Sequence, residues 1–223
     1  MEMLYMRKFK IKDPVSAATH FAGFLISIPV MICLILKSVE EALPLHVVAF
    51  TVFGISLLLL YGASTIYHTM DVKKETEVKL KRIDHMMIFI LIAGTYTPVC
   101  MIVLGDKTGW TMLTLVWGIA IVGIIINALW ITCPKWFSSL HYIAMGWVCI
   151  LAITKILSSM PRAGFMWLLA GGIIYTIGGI IYALKLPIFN NRHKNFGSHE
   201  IFHLFVMAGS ACHFIVMYAY LLP

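Results

Sequence analysis

Seven stretches of this chain contain no Asp, Glu, Lys or Arg: 14–36, 42–70, 85–105, 108–134, 136–154, 163–184 and 201–223. Each runs for 19 to 29 residues. A bilayer core of ~30 Å takes about 20 apolar residues of helix to cross. The pattern therefore predicts an all-α integral membrane bundle of seven transmembrane helices. Charged residues are only 12% of the chain and mean hydropathy is +0.91, whereas soluble domains carry about 25% charge. Soluble enzymes, nucleic-acid binders and disulfide scaffolds are excluded on that ground. The spans are expected at roughly 15–36, 45–68, 84–104, 110–132, 137–157, 164–185 and 199–221, within a single domain covering 1–223.

The cations set an expected orientation. With the N-terminus in the cytoplasm, inside segments carry 13 Lys and Arg residues, from Arg7 to Lys12, Lys73 to Arg82, Lys135, and Lys185 to Lys194. Outside segments carry 4: Lys37, Lys107, Lys155 and Arg162. The positive-inside bias places the N-terminus in the cytoplasm and the C-terminus outside. The net charge of +7 then reflects topology and contact with anionic headgroups rather than nucleic acid. The longest polar stretch, Asp71 to Arg82, is expected to be a cytoplasmic loop. The first apolar run is of spanning length, and no cleavable signal peptide is expected.

The five cysteines (Cys33, Cys100, Cys133, Cys149, Cys212) form no CxxC and read as small packing residues. Trp110, Trp130, Trp136 and Trp147 are expected as interfacial anchors. Gly171, Gly172, Gly178 and Gly179 suggest a close helix contact in span six.

Polar side chains at membrane depth are expensive and by default mark a functional site. His199 and His203 are spaced i, i+4, which puts both imidazoles on one helical face about 6 Å apart along the axis. Ser64 and His68 repeat that spacing on span two. Under the orientation above, span two ends inside, while spans three and seven begin there. His68, Asp84, His199 and His203 therefore fall at similar depth in one leaflet, although the loop charges fix that topology independently of them.

Three neutral imidazoles without thiolate suit zinc with one open position. Asp84 and Ser64 would orient a water there. The alternative for Asp84 is a headgroup-level carboxylate paired with Lys81 or Arg82. His213 lies 14 residues beyond His199, ~21 Å along a helix, too far to join the same metal. His20 is a candidate supporting residue, His85 a structural one and His141 an interfacial one. Glu200 suits the positive end of its helix.

At these residues the chain resembles the hemolysin III family, within the superfamily of progestin and adiponectin receptors. The resemblance covers nearly the whole chain. It rests on Tyr61-Gly62-Ala63-Ser64-Thr65-Ile66-Tyr67-His68, on Arg82-Ile83-Asp84-His85 leading into Ala93-Gly94-Thr95-Tyr96-Thr97-Pro98, and on His199-Glu200-Ile201-Phe202-His203. Thr19-His20 with Gly23 resembles the family's N-terminal motif, whose acidic and Asn positions look like Asp13 and Ser16 here. The resemblance implies zinc near the cytoplasmic side, held by His68, His199 and His203, with Asp84 and Ser64 on the water. Ceramidase-like relatives imply hydrolysis of a lipid amide or ester and a role in membrane lipid homeostasis.

The leading expectation is thus a multi-pass cell-membrane protein with membrane lipids as partners and a lipid amide as substrate. In the expected mechanism Asp84 is the base and Ser64 steadies it or the developing oxyanion. Two other readings stand beside it: a cytolytic pore former, and a lipid sensor stabilised by zinc. Residues 199–223 contain no lysine, which excludes a Schiff-base retinal pump.

Overall fold

The structure is a computed structural model that describes residues 10–130, 135–185 and 196–223. Cys133, Arg7, Lys8, Arg192, Lys194 and the side chain of Lys135 lie outside the described residues. Among the described residues, seven helices are long and apolar enough to cross a membrane: α1 Pro14–Glu40, α2 Pro44–Thr69, α3 Lys74–Leu104, α4 Lys107–Leu129, α5 Trp136–Ser159, α6 Arg162–Leu184 and α7 Ser198–Leu221. The architecture is all-α. Proline opens both α1 and α2, at the one position where its fixed φ helps and its missing N–H costs nothing.

The segment Asp71 to Arg82 departs from the loop expected there. Helix α3 begins at Lys74, because Lys and Glu are strong helix formers and Glu75 and Glu77 occupy the favourable first turn. Lys74 Nζ also reaches Glu77 Oε2 at 3.1 Å. Asp84 consequently sits well inside a continuous helix rather than at its start.

Helix α5 is interrupted. Its α-helical part ends at Gly146, a 3₁₀ segment follows over Trp147–Ala152, and α-helix resumes at Ile153. A hydroxyl from α3 fills the break. Tyr96 donates to the Gly146 carbonyl at 2.6 Å and accepts from the Cys149 N–H at 2.8 Å. Backbone groups freed from a helix ladder in lipid need partners of this kind. Trp147, expected as an interfacial anchor, instead points inward and donates from Nε1 to Thr176 Oγ1 at 3.0 Å. Trp110, Trp130 and Trp136 are exposed, as anchors would be.

Helix α3 ends in a π-helical turn, Val99–Leu104, closed by Gly105 at φ 59°. Asp106 then caps α4, accepting from the N–H groups of Thr108 (2.9 Å) and Gly109 (3.4 Å). Lys155 from α5 pairs with the same carboxylate.

Helix α1 packs along α2, α2 on α3, α3 on α4, α5 on α6 and α6 on α7, while α1 also meets α7. Phe50, Phe53 and Phe89 are completely buried between them, as are Leu34 and Val116. The outer face is apolar instead of charged, with Leu129 and Leu151 more than two-thirds exposed. That surface suits lipid tails, which are as apolar as the side chains they meet. On α6, Gly171 and Gly178 receive His213 and Phe205 of α7 so closely that a Cβ would overlap them. Gly172 and Gly179 make no such tight contact.

Candidate metal centre

The end of α2, the start of α7 and the segment entering α1 meet at one end of the bundle. Two backbone bonds pin the α1 entry to the end of α2: Asp13 N–H to His68 O at 2.9 Å and Lys12 N–H to Thr69 O at 3.4 Å. They bring the Asp13 carboxylate onto His68, whose Nδ1 lies 2.9 Å from Oδ2. A carboxylate there accepts, so Nδ1 carries a proton, and in the neutral ring this leaves the Nε2 lone pair for a ligand. Lys12 steadies the carboxylate, with Nζ 3.6 Å from Asp13 Oδ2 and 3.5 Å from Glu77 Oε1.

That free nitrogen faces His199. The two Nε2 atoms stand 3.1 Å apart, near the ~3.3 Å separation of two ligands in a tetrahedral site with bonds of ~2.0–2.1 Å. The i, i+4 spacing on α7 brings in His203. Candidate ligand atoms of His68, His199 and His203 all lie within 4.8 Å of one another. His68 and His203 are buried and His199 is half-buried. Thr19 supports His203. Its hydroxyl donates back to carbonyls of its own helix at 3.0 Å, leaving a lone pair 3.4 Å from His203 Nδ1.

His20, a candidate supporting residue from the sequence, stacks flat on the His203 ring with centroids 3.6 Å apart. Both of its ring nitrogens are buried without a hydrogen-bond partner among the described residues. The Ser64 hydroxyl, one turn before His68, is in the same condition. Unpaired polar atoms at this depth are costly, and clustering beside three convergent imidazoles makes the donor set fit a metal ion and its attendant oxygen ligand.

Asp84 is buried and lines a cavity of about 170 Å³ together with His20, His199 and His203. Its carboxylate is close enough for its charge to act on His68 and His20. The pairing with Lys81 or Arg82 considered from the sequence is not formed. Asp84 Oδ2 approaches His85 Nδ1 at 3.5 Å, and Arg82 Nη1 donates to the Ala128 carbonyl at 3.3 Å. Ser64 does not hydrogen-bond to Asp84, since its hydroxyl has no partner. His85 has the structural role expected of it, with Nδ1 2.8 Å from the Lys81 carbonyl of its own helix, and it is also a neighbour of the carboxylate and a wall of the same cavity.

Glu200 does more than favour a helix end. It accepts from the Gly197 N–H at 2.7 Å and from the Ser16 hydroxyl at 2.8 Å, tying α1 to α7. Asp13, Ser16 and Thr19 were without assigned roles from sequence. Their signals were the resemblance to the family's N-terminal motif and position, since all three precede or open span one on the side where the histidines gather. His213 lies elsewhere, as expected, deep against α6.

The comparisons with known proteins identify the family. The model of the family described as Haemolysin-III related matches residues 9–214. "Hemolysin-3" of Bacillus cereus is 40% identical over 222 residues, spanning 100% of this chain and 97% of that protein. "Hemolysin-3 homolog" of Bacillus subtilis (strain 168) is 38% identical over 213 residues, 95% of this chain and 96% of that protein. "Adiponectin receptor protein" of Drosophila melanogaster is more distant, 26% identical across 88% of this chain and 48% of its own length. With buried histidines converging at one end of seven membrane helices, and a family match over residues 9–214, the chain belongs to the Haemolysin-III related family of multi-pass membrane proteins.

Proposed function

We propose that this protein is a zinc-dependent hydrolase of lipid amides or esters, acting within the membrane. The observation that carries the reading is the convergence of three imidazoles, two of which line an apolar cavity together with the buried Asp84 carboxylate. His68, His199 and His203 are the ligands, and their neutral nitrogen donors favour zinc over harder cations. A bound zinc supplies Lewis acidity to a substrate carbonyl and brings the pKa of a water toward ~7.

The protein's own groups do the rest. Asp84 accepts the proton of the attacking water and later passes it to the departing amine or alkoxide. Ser64 offers a hydroxyl without a partner among the described residues, one turn from the ligand His68, to hold the nucleophile or the developing oxyanion. Asp13 and Thr19 fix the two ligand histidines in orientation. The apolar wall admits acyl chains and keeps bulk water out. Membrane lipids are the partners this reading requires.

The test is metal analysis of the purified protein beside His68→Ala, followed by incubation with ceramide-like amides and ester lipids. Stoichiometric zinc in the wild type and its loss in the variant are expected, with fatty acid released only by the wild type. A metal-free wild type, or a zinc-loaded one that releases no fatty acid from a broad lipid panel, defeats the proposal.

The name of the Bacillus cereus relative, "Hemolysin-3", favours a second reading, in which the protein lyses membranes. A stable bundle of seven spanning helices lacks the soluble-to-membrane transition of a secreted toxin, so lysis would be exerted from within the membrane. His203→Ala separates the two. A zinc hydrolase loses activity, whereas a simple pore lyses as before.

A further inference from the structure

A second polar cluster lies deep in the bundle, away from the histidine triad. The Tyr61 hydroxyl of α2 donates to Ser210 Oγ of α7 at 2.8 Å, and the Tyr175 hydroxyl of α6 bonds the same oxygen at 2.9 Å. The His213 ring rests against Tyr175, with centroids 5.3 Å apart. His213 is only 5% exposed, and its Nδ1 has no hydrogen-bond partner among the described residues.

Two features show that this imidazole is held in place. Gly171 of α6 admits the ring, since a Cβ there would lie 2.8 Å from His213 Nε2. Gly209 admits Tyr175 in the same way, at 2.6 Å. Close helix packing of this kind fixes the ring's direction. His213 and Tyr175 both line the cavity that Asp84, His199 and His203 line at its other end. Ten residues of helix separate His203 from His213, which is ~15 Å along α7.

We propose that His213, backed by Tyr175, is a second polar subsite of the cavity that binds a hydroxyl on the acyl chain of a lipid whose carbonyl lies at the histidine triad. A hydroxyl suits the unpartnered Nδ1 in either tautomer of a neutral ring, donating to the bare nitrogen or accepting from its N–H. A charged group would have to be desolvated against Ile, Leu and Phe walls, at far greater cost. The subsite rests on the lipid reading of the cavity but not on hydrolysis.

The experiment is displacement of a fluorescent fatty acid from the full-length purified protein by oleate and by ricinoleate, which carries a mid-chain hydroxyl. An α-hydroxy fatty acid of equal length is the control, because its hydroxyl sits at the carboxylate end. Ricinoleate is expected to bind roughly three- to tenfold more tightly than either competitor, the effect of one net hydrogen bond. His213→Leu is expected to erase that preference while oleate affinity holds, and Tyr175→Phe to reduce it. Equal binding of ricinoleate and oleate by the wild type overturns the subsite, as does a preference that survives in His213→Leu. Failure of all three fatty acids to bind overturns it as well. Should His213→Leu fail to fold, the wild-type comparison of the three fatty acids decides alone. A retained hydroxyl preference in protein that hydrolyses no lipid would leave the subsite standing and defeat only the hydrolase.

Discussion

Asp13 Oδ2 stands 2.9 Å from Nδ1 of His68, across 55 residues of sequence. The bond fixes which nitrogen of His68 carries the proton and points the other at His199. Metal-ligating histidines regularly have such a partner, and removing it typically weakens metal binding by 10–100-fold.

Asp13→Asn is therefore expected to lower zinc affinity by about tenfold or more, read by competition with a chelator. The backbone bond from Asp13 N–H to His68 O remains available to the variant, so the α1 entry stays anchored and thermal stability of the metal-free protein changes little. Unaltered zinc affinity would show that His68 is held by packing alone.

A different part of the molecule depends on the Tyr96 hydroxyl, which serves both sides of the break in α5. Tyr96→Phe leaves the Cys149 N–H unpaired and the Gly146 carbonyl with only the weak Cys149 thiol contact at 3.7 Å, and an unpaired buried backbone group costs about 1–3 kcal/mol. The variant should melt at a clearly lower temperature than wild type in detergent, with zinc stoichiometry unchanged. A wild-type melting temperature would mean that α5 closes the break by itself.

These two bonds also mark where the sequence stops being informative. The histidine triad was legible because His199 and His203 lie on one helix turn, and because loop charges alone bring the ends of spans two and seven together. Asp13 was not, since nothing local links it to a histidine on another helix. Tyr96 likewise sits inside a span that reads as plain helix, and the 3₁₀ break it serves lies in α5. Trp147 was misplaced for the same reason: its indole follows that break inward. The early start of α3 is invisible to a reading by charge alone, because Lys and Glu are good helix formers outside the bilayer as well as loop residues. Hydropathy and charge locate the seven spans, but contacts between helices depend on rotations that neither reveals.

At the opposite end of the bundle, the Lys155 ammonium beside Asp106 holds that carboxyl below its usual range. A depressed acid stabilises the fold above its ordinary titration range, and that contribution disappears as pH falls through the lowered value. Asp106→Asn keeps an oxygen to accept from Thr108 but cannot lose a charge. Wild-type melting temperature should thus fall more steeply than the variant's as pH drops below about 4. The pair is solvent-exposed, so the difference should shrink in high salt. Parallel curves for both proteins at low salt would show that the ion pair contributes nothing.

Orientation in the membrane decides which compartment the histidine triad faces. Lys79 and the triad lie toward one end of the bundle, Lys107 toward the other, and both lysines are exposed. With 13 cations expected inside against 4 outside, the triad end should be cytoplasmic. Single cysteines at Lys79 and Lys107, in a background without the five native ones, distinguish the two arrangements on intact cells. A membrane-impermeant maleimide should label Lys107→Cys directly and Lys79→Cys only after permeabilisation. The reverse pattern would place the triad at the outer surface, and a lipid substrate would then have to enter from the outer leaflet.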